Sequence, residues 1–155
     1  MRGFDLRTIG PSDIFNGLVL GGNKSLLFNV EQIITIAGPV RLILFYDAGQ
    51  VRDTGVPFGF KEDIVQVVPQ PIPLLFDPLA TVGLSDPLYI PKTEVVGQRS
   101  AFKTSTGAEI RFFMPVLNVP FRLIFAYNPQ RGGVLNNNLQ PQKAFQFRFA
   151  VGTTF

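Results

Sequence analysis

The side chains of this chain that can do chemistry are carboxylates and cations. It has 155 residues, with 14 Lys plus Arg, 11 Asp plus Glu, and neither His nor Cys. Without His, the commonest general base and metal ligand is missing. Without Cys there is no thiolate and no disulfide, and the redox compartment is not legible. The carboxylates Glu62, Asp63, Asp77 and Asp86 are scattered through one long connection, and no spacing marks a dyad. No Gly-x-Gly-x-x-Gly, Gly-x-Ser-x-Gly, phosphate loop, calcium loop or His-based zinc motif occurs. A non-enzyme without cofactor or metal is expected. The net charge of +3 is small, and no basic cluster is interleaved with aromatics, so nucleic acid is not an expected partner.

What remains is ion pairing, and the elements that could position it are strands. The chain is 46% hydrophobic with 16 Phe. Yet no stretch approaches the roughly 18 uninterrupted apolar residues of a membrane-spanning helix. Instead the apolar residues alternate with polar ones, the period of a strand. A first strand over 24–36 sets Leu26, Phe28, Val30, Ile34 and Ile36 against Asn29, Glu31 and Thr35. A second over 40–49 turns Leu42, Leu44 and Tyr46 outward and Arg41, Ile43, Phe45, Asp47 and Gly49 inward. A third over 102–114 opposes Ala108, Ile110 and Phe112 to Lys103, Ser105, Gly107, Glu109 and Arg111. A fourth over 121–128 opposes Phe121, Leu123, Phe125 and Tyr127 to Arg122, Ile124, Ala126 and Asn128. The last, 145–155, puts Phe145, Phe147, Phe149, Val151 and Phe155 on one face, with Gln146, Arg148, Ala150 and Gly152 on the other.

The connections alternate in length. Those at 37–39 and 116–119 are tight, whereas 50–101 and 129–143 are long and rich in Pro, Gly and Asn. Short turns at one end and long loops at the other are the pattern of a transmembrane β-barrel, with the long loops outside the cell. The 50–101 connection reads as an extracellular loop with a little structure around 64–68. Its Pro69-Gln70-Pro71-Ile72-Pro73 run favours extended chain over helix. Five strands cannot close a barrel, and hydrocarbon tolerates no open strand edge. The fold expected is therefore all-β: the C-terminal five antiparallel strands of a transmembrane barrel of about 16. Its parts are residues 1–23 as a loop inserted in the lumen, 24–49 as a hairpin, 50–101 as the long loop and 102–155 as the last three strands. No signal peptide opens the chain, so a targeting segment is expected upstream.

Four motifs, in order, resemble the outer-membrane barrel-assembly and two-partner-secretion superfamily. Met1-Arg2-Gly3-Phe4, followed by Thr8-Ile9-Gly10-Pro11, resembles its Val-Arg-Gly-Phe/Tyr loop, Met1 standing where Val is usual. Gly21-Gly22-Asn23 leads into the strand bearing Glu31, and Phe45-Tyr46-Asp47-Ala48-Gly49 matches the Phe-x-Asp-x-Gly strand motif. The ending from Phe145 to Phe155 resembles the terminal strand of the BamA family of assembly factors within it.

The resemblance implies that the Arg-Gly-Phe loop folds back into the lumen, with Arg2 paired to Asp47. Gly3 would let the tip bend where a Cβ could clash, and Phe4 would pack on the inner wall against Phe45. It implies an outer-membrane location and no cofactor. It implies as partners the lipid bilayer, nascent outer-membrane proteins, and accessory lipoproteins met through periplasmic domains upstream.

Plainer readings stand beside these. Arg2 taken alone is a solvated arginine near a chain end, and Glu31, Glu109 and Arg111 are polar residues that a wet lumen tolerates without a role. Gly152 is either an ordinary small residue or a weak point in the last strand. Phe155 is a lipid anchor, an assembly signal, or both. Three function classes follow: an insertase with a lateral seam, a secretion pore of the same superfamily, and, more distantly, a soluble β-sandwich binding module.

Overall fold

The computed structural model describes residues 1–71, 89–114 and 119–152. Among them every regular element of more than a bridge is a strand: β1 (Lys24–Ala37), β2 (Val40–Arg52), β3 (Lys61–Pro71), β4 (Tyr89–Ser100), β5 (Lys103–Met114), β6 (Val119–Tyr127) and β7 (Phe145–Val151). β1, β2, β5, β6 and β7 form one antiparallel sheet in that order, and β3 pairs with β4 alone.

Register carries the alternation across the five-stranded sheet, because directly opposed residues share a face. One row runs Ile34, Leu42, Ile110, Leu123 and Phe149; the next runs Leu44, Ala108, Phe125 and Phe147. Farther along, Tyr46, Thr106, Tyr127 and Phe145 line up. This face is apolar, and away from the ribbon root beside Ala48 and Thr104 no second layer covers it among the described residues: Leu44 is 45% exposed and Phe147 is 55% exposed. Its rings contact one another instead, Phe112 stacking on Phe121 at 4.9 Å and Phe125 meeting Phe147 at 5.1 Å.

The opposite face is polar yet buried. Ile43, Phe45, Asp47, Ser105, Glu109, Ile124, Ala126 and Asn128 all lie under residues 1–23 and the loop after β6, or against each other. The sheet is thus inverted relative to a soluble one, with apolar side chains exposed and polar ones packed.

The 50–101 connection is more ordered than the sequence suggests. β2 runs on to Arg52, and β3 and β4 form a ribbon in which Pro69 faces Pro91. Proline lacks the amide a central strand needs, which is why this segment does not read as a strand. In a two-stranded ribbon each strand has an outer edge that needs no ladder donor, so proline is accommodated. Residues 72–73 of the Pro-rich run, most of the expected tight connection at 116–119, Asp77, Asp86 and Phe155 lie outside the described residues.

The ribbon is fixed at its root by Glu62. Its carboxylate accepts Arg99 Nε at 2.5 Å and Lys103 Nζ at 2.7 Å, with Arg52 Nη1 at 3.5 Å. Lys103 Nζ also donates to the carbonyls of Ser100 and Gly132, both at 2.9 Å. This joins the ribbon to β2, β5 and the loop after β6.

Candidate functional site

The site is the tip of the N-terminal loop seated on the polar face. Gly3 lies at its centre with φ +81°, a backbone conformation natural to glycine. A Cβ there would collide with Asn128 Oδ1 and Ser105 Oγ and stand 2.9 Å from Ala126 Cβ. The Gly3 carbonyl accepts from Asn128 Nδ2 at 2.7 Å and from Gln142 Nε2 at 2.8 Å. Glycine therefore serves twice, allowing the turn and permitting contact with the sheet. Phe4 beside it is buried.

Arg2 lies against β1, β2 and β5. Its backbone N–H donates to Asp47 Oδ2 at 2.9 Å, while Asn29 Nδ2 donates to Asp47 Oδ1. The guanidinium pairs with Glu31 and approaches Glu109 Oε2 at 3.6 Å. It also covers the ring of Phe45, 4.5 Å from the centroid, as the face of an aromatic ring favours. Burial draws the guanidinium below its ordinary pKa, while Asp47 and Glu109 pull it back up, and arginine in this position stays charged.

Here the sequence expectation needs correction. Arg2 and Asp47 do meet, but through the backbone amide rather than a fork of guanidinium and carboxylate. The guanidinium passes to Glu31 because Glu31 lies one pleat along on the same face, opposite Phe45. The face of the Phe45 ring is covered by the Arg2 guanidinium, and Phe4 is buried.

Glu109 is the centre of the remaining charge. It is fully buried and accepts Arg111 Nε at 2.5 Å and Arg122 Nε at 2.6 Å. Arg2, Arg111 and Arg122 against Glu31, Asp47 and Glu109 give three charges of each sign, so the group around buried Asp47 and Glu109 is neutral overall. Neutrality matters because an uncompensated charge here would carry a large desolvation cost. A further tie, Arg148 Nη2 to Asp5 Oδ1 at 2.6 Å, reaches β7. The loop thus contacts the first and last strands of the sheet as well as those between.

The structure therefore gathers Arg2, Gly3, Phe4, Phe45 and Asp47 into one place. Gly49 also lies there, its Cβ position 3.0 Å from Met1 Sδ and 3.2 Å from the Leu26 carbonyl oxygen. The expectation for the last strand concerns a different region: Phe145, Phe147 and Phe149 stand on the exposed face of β7. Gly152 follows the last ladder pair, Phe121 with Val151, and turns out of extended geometry at φ +99°.

Asn29, Ser105, Asn128 and Gln142 were not singled out as site residues. Asn128 and Ser105 carried a signal, being polar residues at inward positions of apolar-patterned strands. Gln142 carried none, since it sits in a loop. Nothing in the arrangement offers a nucleophile beside a base. It is a latch made of charge and glycine.

No curated protein and no solved structure matches the chain. The Omp85 superfamily domain matches residues 1–155, that is, all of it. The buried polar face, the exposed aromatic one and the seated Arg-Gly-Phe loop agree with that match, and the chain belongs to the Omp85 superfamily.

Proposed function

We propose that the chain is the last part of a BamA-type barrel of about 16 strands, which folds and inserts other barrel proteins into the outer membrane. The superfamily includes barrel-assembly factors and two-partner secretion pores. The observation that carries the membrane reading is the inverted sheet. Its exposed face is a band of Leu, Ile, Phe and Tyr suited to lipid, and its buried face is ionic, suited to a lumen. β1 and β7 are open edges here, and in lipid they need neighbours. Further strands upstream of β1, and closure onto β7, would supply them.

Assembly rather than secretion is favoured by the last strand. β7 has seven residues against fourteen in β1, and Gly152 breaks its extension. A short final strand is easily unpaired, leaving the edge of a neighbour free to template an incoming strand by β-augmentation. The client's own strand pairing and lipid burial would drive insertion, so the reading assigns no catalytic residue and no cofactor. Nascent outer-membrane proteins and the bilayer are the proposed partners, with accessory lipoproteins acting through periplasmic domains beyond this chain.

The deciding experiment reconstitutes the full-length protein in liposomes and adds a urea-unfolded barrel client. Faster client insertion than into empty liposomes is the expected result. Transport of an unfolded exoprotein into the liposome lumen, with no effect on barrel clients, would establish the secretion pore instead. A full-length protein that stays soluble and folded without detergent would overturn both in favour of a β-sandwich module.

A further inference from the structure

A crevice of about 800 Å³ lies between the root of the β3–β4 ribbon and the apolar face of β1, β2 and β5. Its walls are Leu26, Phe28, Tyr46, Phe60 and Phe102, and Ala48 lies on its floor. Phe60 and Phe102 face each other at 5.8 Å, one ring on each side of the ribbon's root. Three features separate it from an ordinary apolar surface. Lys61 at its rim is exposed and has no carboxylate partner among the described residues, whereas neighbouring Arg99 is paired with Glu62. Thr104, also lining it, is 3% exposed, and its hydroxyl has no hydrogen-bond partner there. The crevice also begins at the row of Tyr46 and Tyr127, amphipathic rings of the kind that mark a bilayer interface.

We propose that this crevice holds one acyl chain of an outer-leaflet lipid whose phosphate headgroup carries a net negative charge. The inference rests on the membrane reading above, which places the ribbon end outside. The chain lies against Leu26, Phe28 and Ala48, the phosphate meets the Lys61 ammonium, and the Thr104 hydroxyl donates to an ester carbonyl of the same lipid. A soluble peptide is the poorer occupant, because the crevice opens on the face that lipid covers. Under Ala48 and Thr104 there is no free strand edge for a peptide to extend, since β2 and β5 are each paired on both sides.

The test places the full-length protein in nanodiscs of equal phosphatidylglycerol and phosphatidylcholine with matched chains. Lipids retained on release are then counted by native mass spectrometry. The unmodified protein is expected to retain phosphatidylglycerol over phosphatidylcholine by about fivefold, the worth of one lysine near an anionic headgroup. Lys61→Glu, an exposed position that leaves the fold intact, is expected to bring the two lipids to parity. Ala48→Phe, which fills the floor, is expected to lower retention of both. Parity in the unmodified protein, or a preference that Lys61→Glu leaves unchanged, overturns the headgroup assignment. Undiminished retention in Ala48→Phe overturns the crevice as the seat. A protein that enters the discs yet shows no preference defeats this inference alone. One that does not enter the discs defeats the membrane reading with it.

Discussion

The backbone amide of Arg2 donates to Asp47 Oδ2 at 2.9 Å, and its guanidinium passes Asp47 by to pair with Glu31. Two carboxylates of one wall thus hold one residue by its two ends. The consequence is a specific pattern of rescue. Arg2→Glu should detach the loop, because it sets a third acid beside Glu31 and Glu109 and leaves four acids facing only Arg111 and Arg122. The pair is only partly buried, so its loss costs on the order of 1–3 kcal/mol. Adding Glu31→Arg to Arg2→Glu restores opposite charges at the same two positions and should recover most of the lost function in cells depleted of the native protein. Adding Asp47→Arg should not, since Asp47 serves the amide. Equal rescue by both second changes would falsify the division of labour.

Gly3 is the least replaceable residue of the loop. Gly3→Ala meets a left-handed backbone and a collision with the Asn128 and Ser105 side chains, together worth at least about 1–3 kcal/mol. Asn128→Ala and Gln142→Ala each remove one hydrogen bond to the Gly3 carbonyl, worth about 1 kcal/mol. Limited proteolysis of the full-length protein should therefore cut the loop fast in Gly3→Ala and more slowly in either single alanine variant. Indistinguishable rates in all three would mean that the tip is not held by this seat.

Much of this site was legible because side-chain parity survives any register. Alternation alone puts Phe45 and Asp47 on one face and Leu44 and Tyr46 on the other, and burial divides them that way. Register itself is not legible. Sliding β1 by two residues against β2 leaves every face unchanged while moving Glu31 a full pleat away from Phe45. The expected Arg2–Asp47 fork was a choice among acids on one wall, and only the observed pairing of Asn29 with Asp47 and Glu31 with Phe45 settles it. The β3–β4 ribbon stayed hidden for another reason. Its strands contain Pro69 and Pro91, and strand patterning assumes a ladder on both sides.

Glu62 ties the ribbon down, and its loss should free the ribbon without loosening the five-stranded sheet. Lys103, Arg99 and Arg52 all converge on its carboxylate. Glu62→Gln keeps the size and one acceptor but leaves three cations facing each other, and charge-assisted bonds of this kind contribute about 1.5–3 kcal/mol. Hydrogen exchange should quicken in β3 and β4 while β5 and β6 keep their protection. Unchanged exchange in the ribbon would show that the Phe60–Phe102 contact and the Ala101 amide bonded to the Phe60 carbonyl suffice to hold it.

Gly152 sets where the last strand ends. Its amide still donates to the Pro120 carbonyl at 2.9 Å, but its φ of +99° departs from extended geometry. A β-branched residue disfavours that conformation by about 1–3 kcal/mol and favours extension. Gly152→Val should therefore favour extension of β7 beyond Val151 and strengthen that strand. Amides of β7 in the full-length protein should then exchange more slowly, by about tenfold for each 1.4 kcal/mol gained. If the seam must loosen for insertion, client insertion into liposomes should slow in the same variant. Slower exchange with undiminished insertion would separate the strand's strength from the protein's activity, and the insertase reading would lose its link to Gly152.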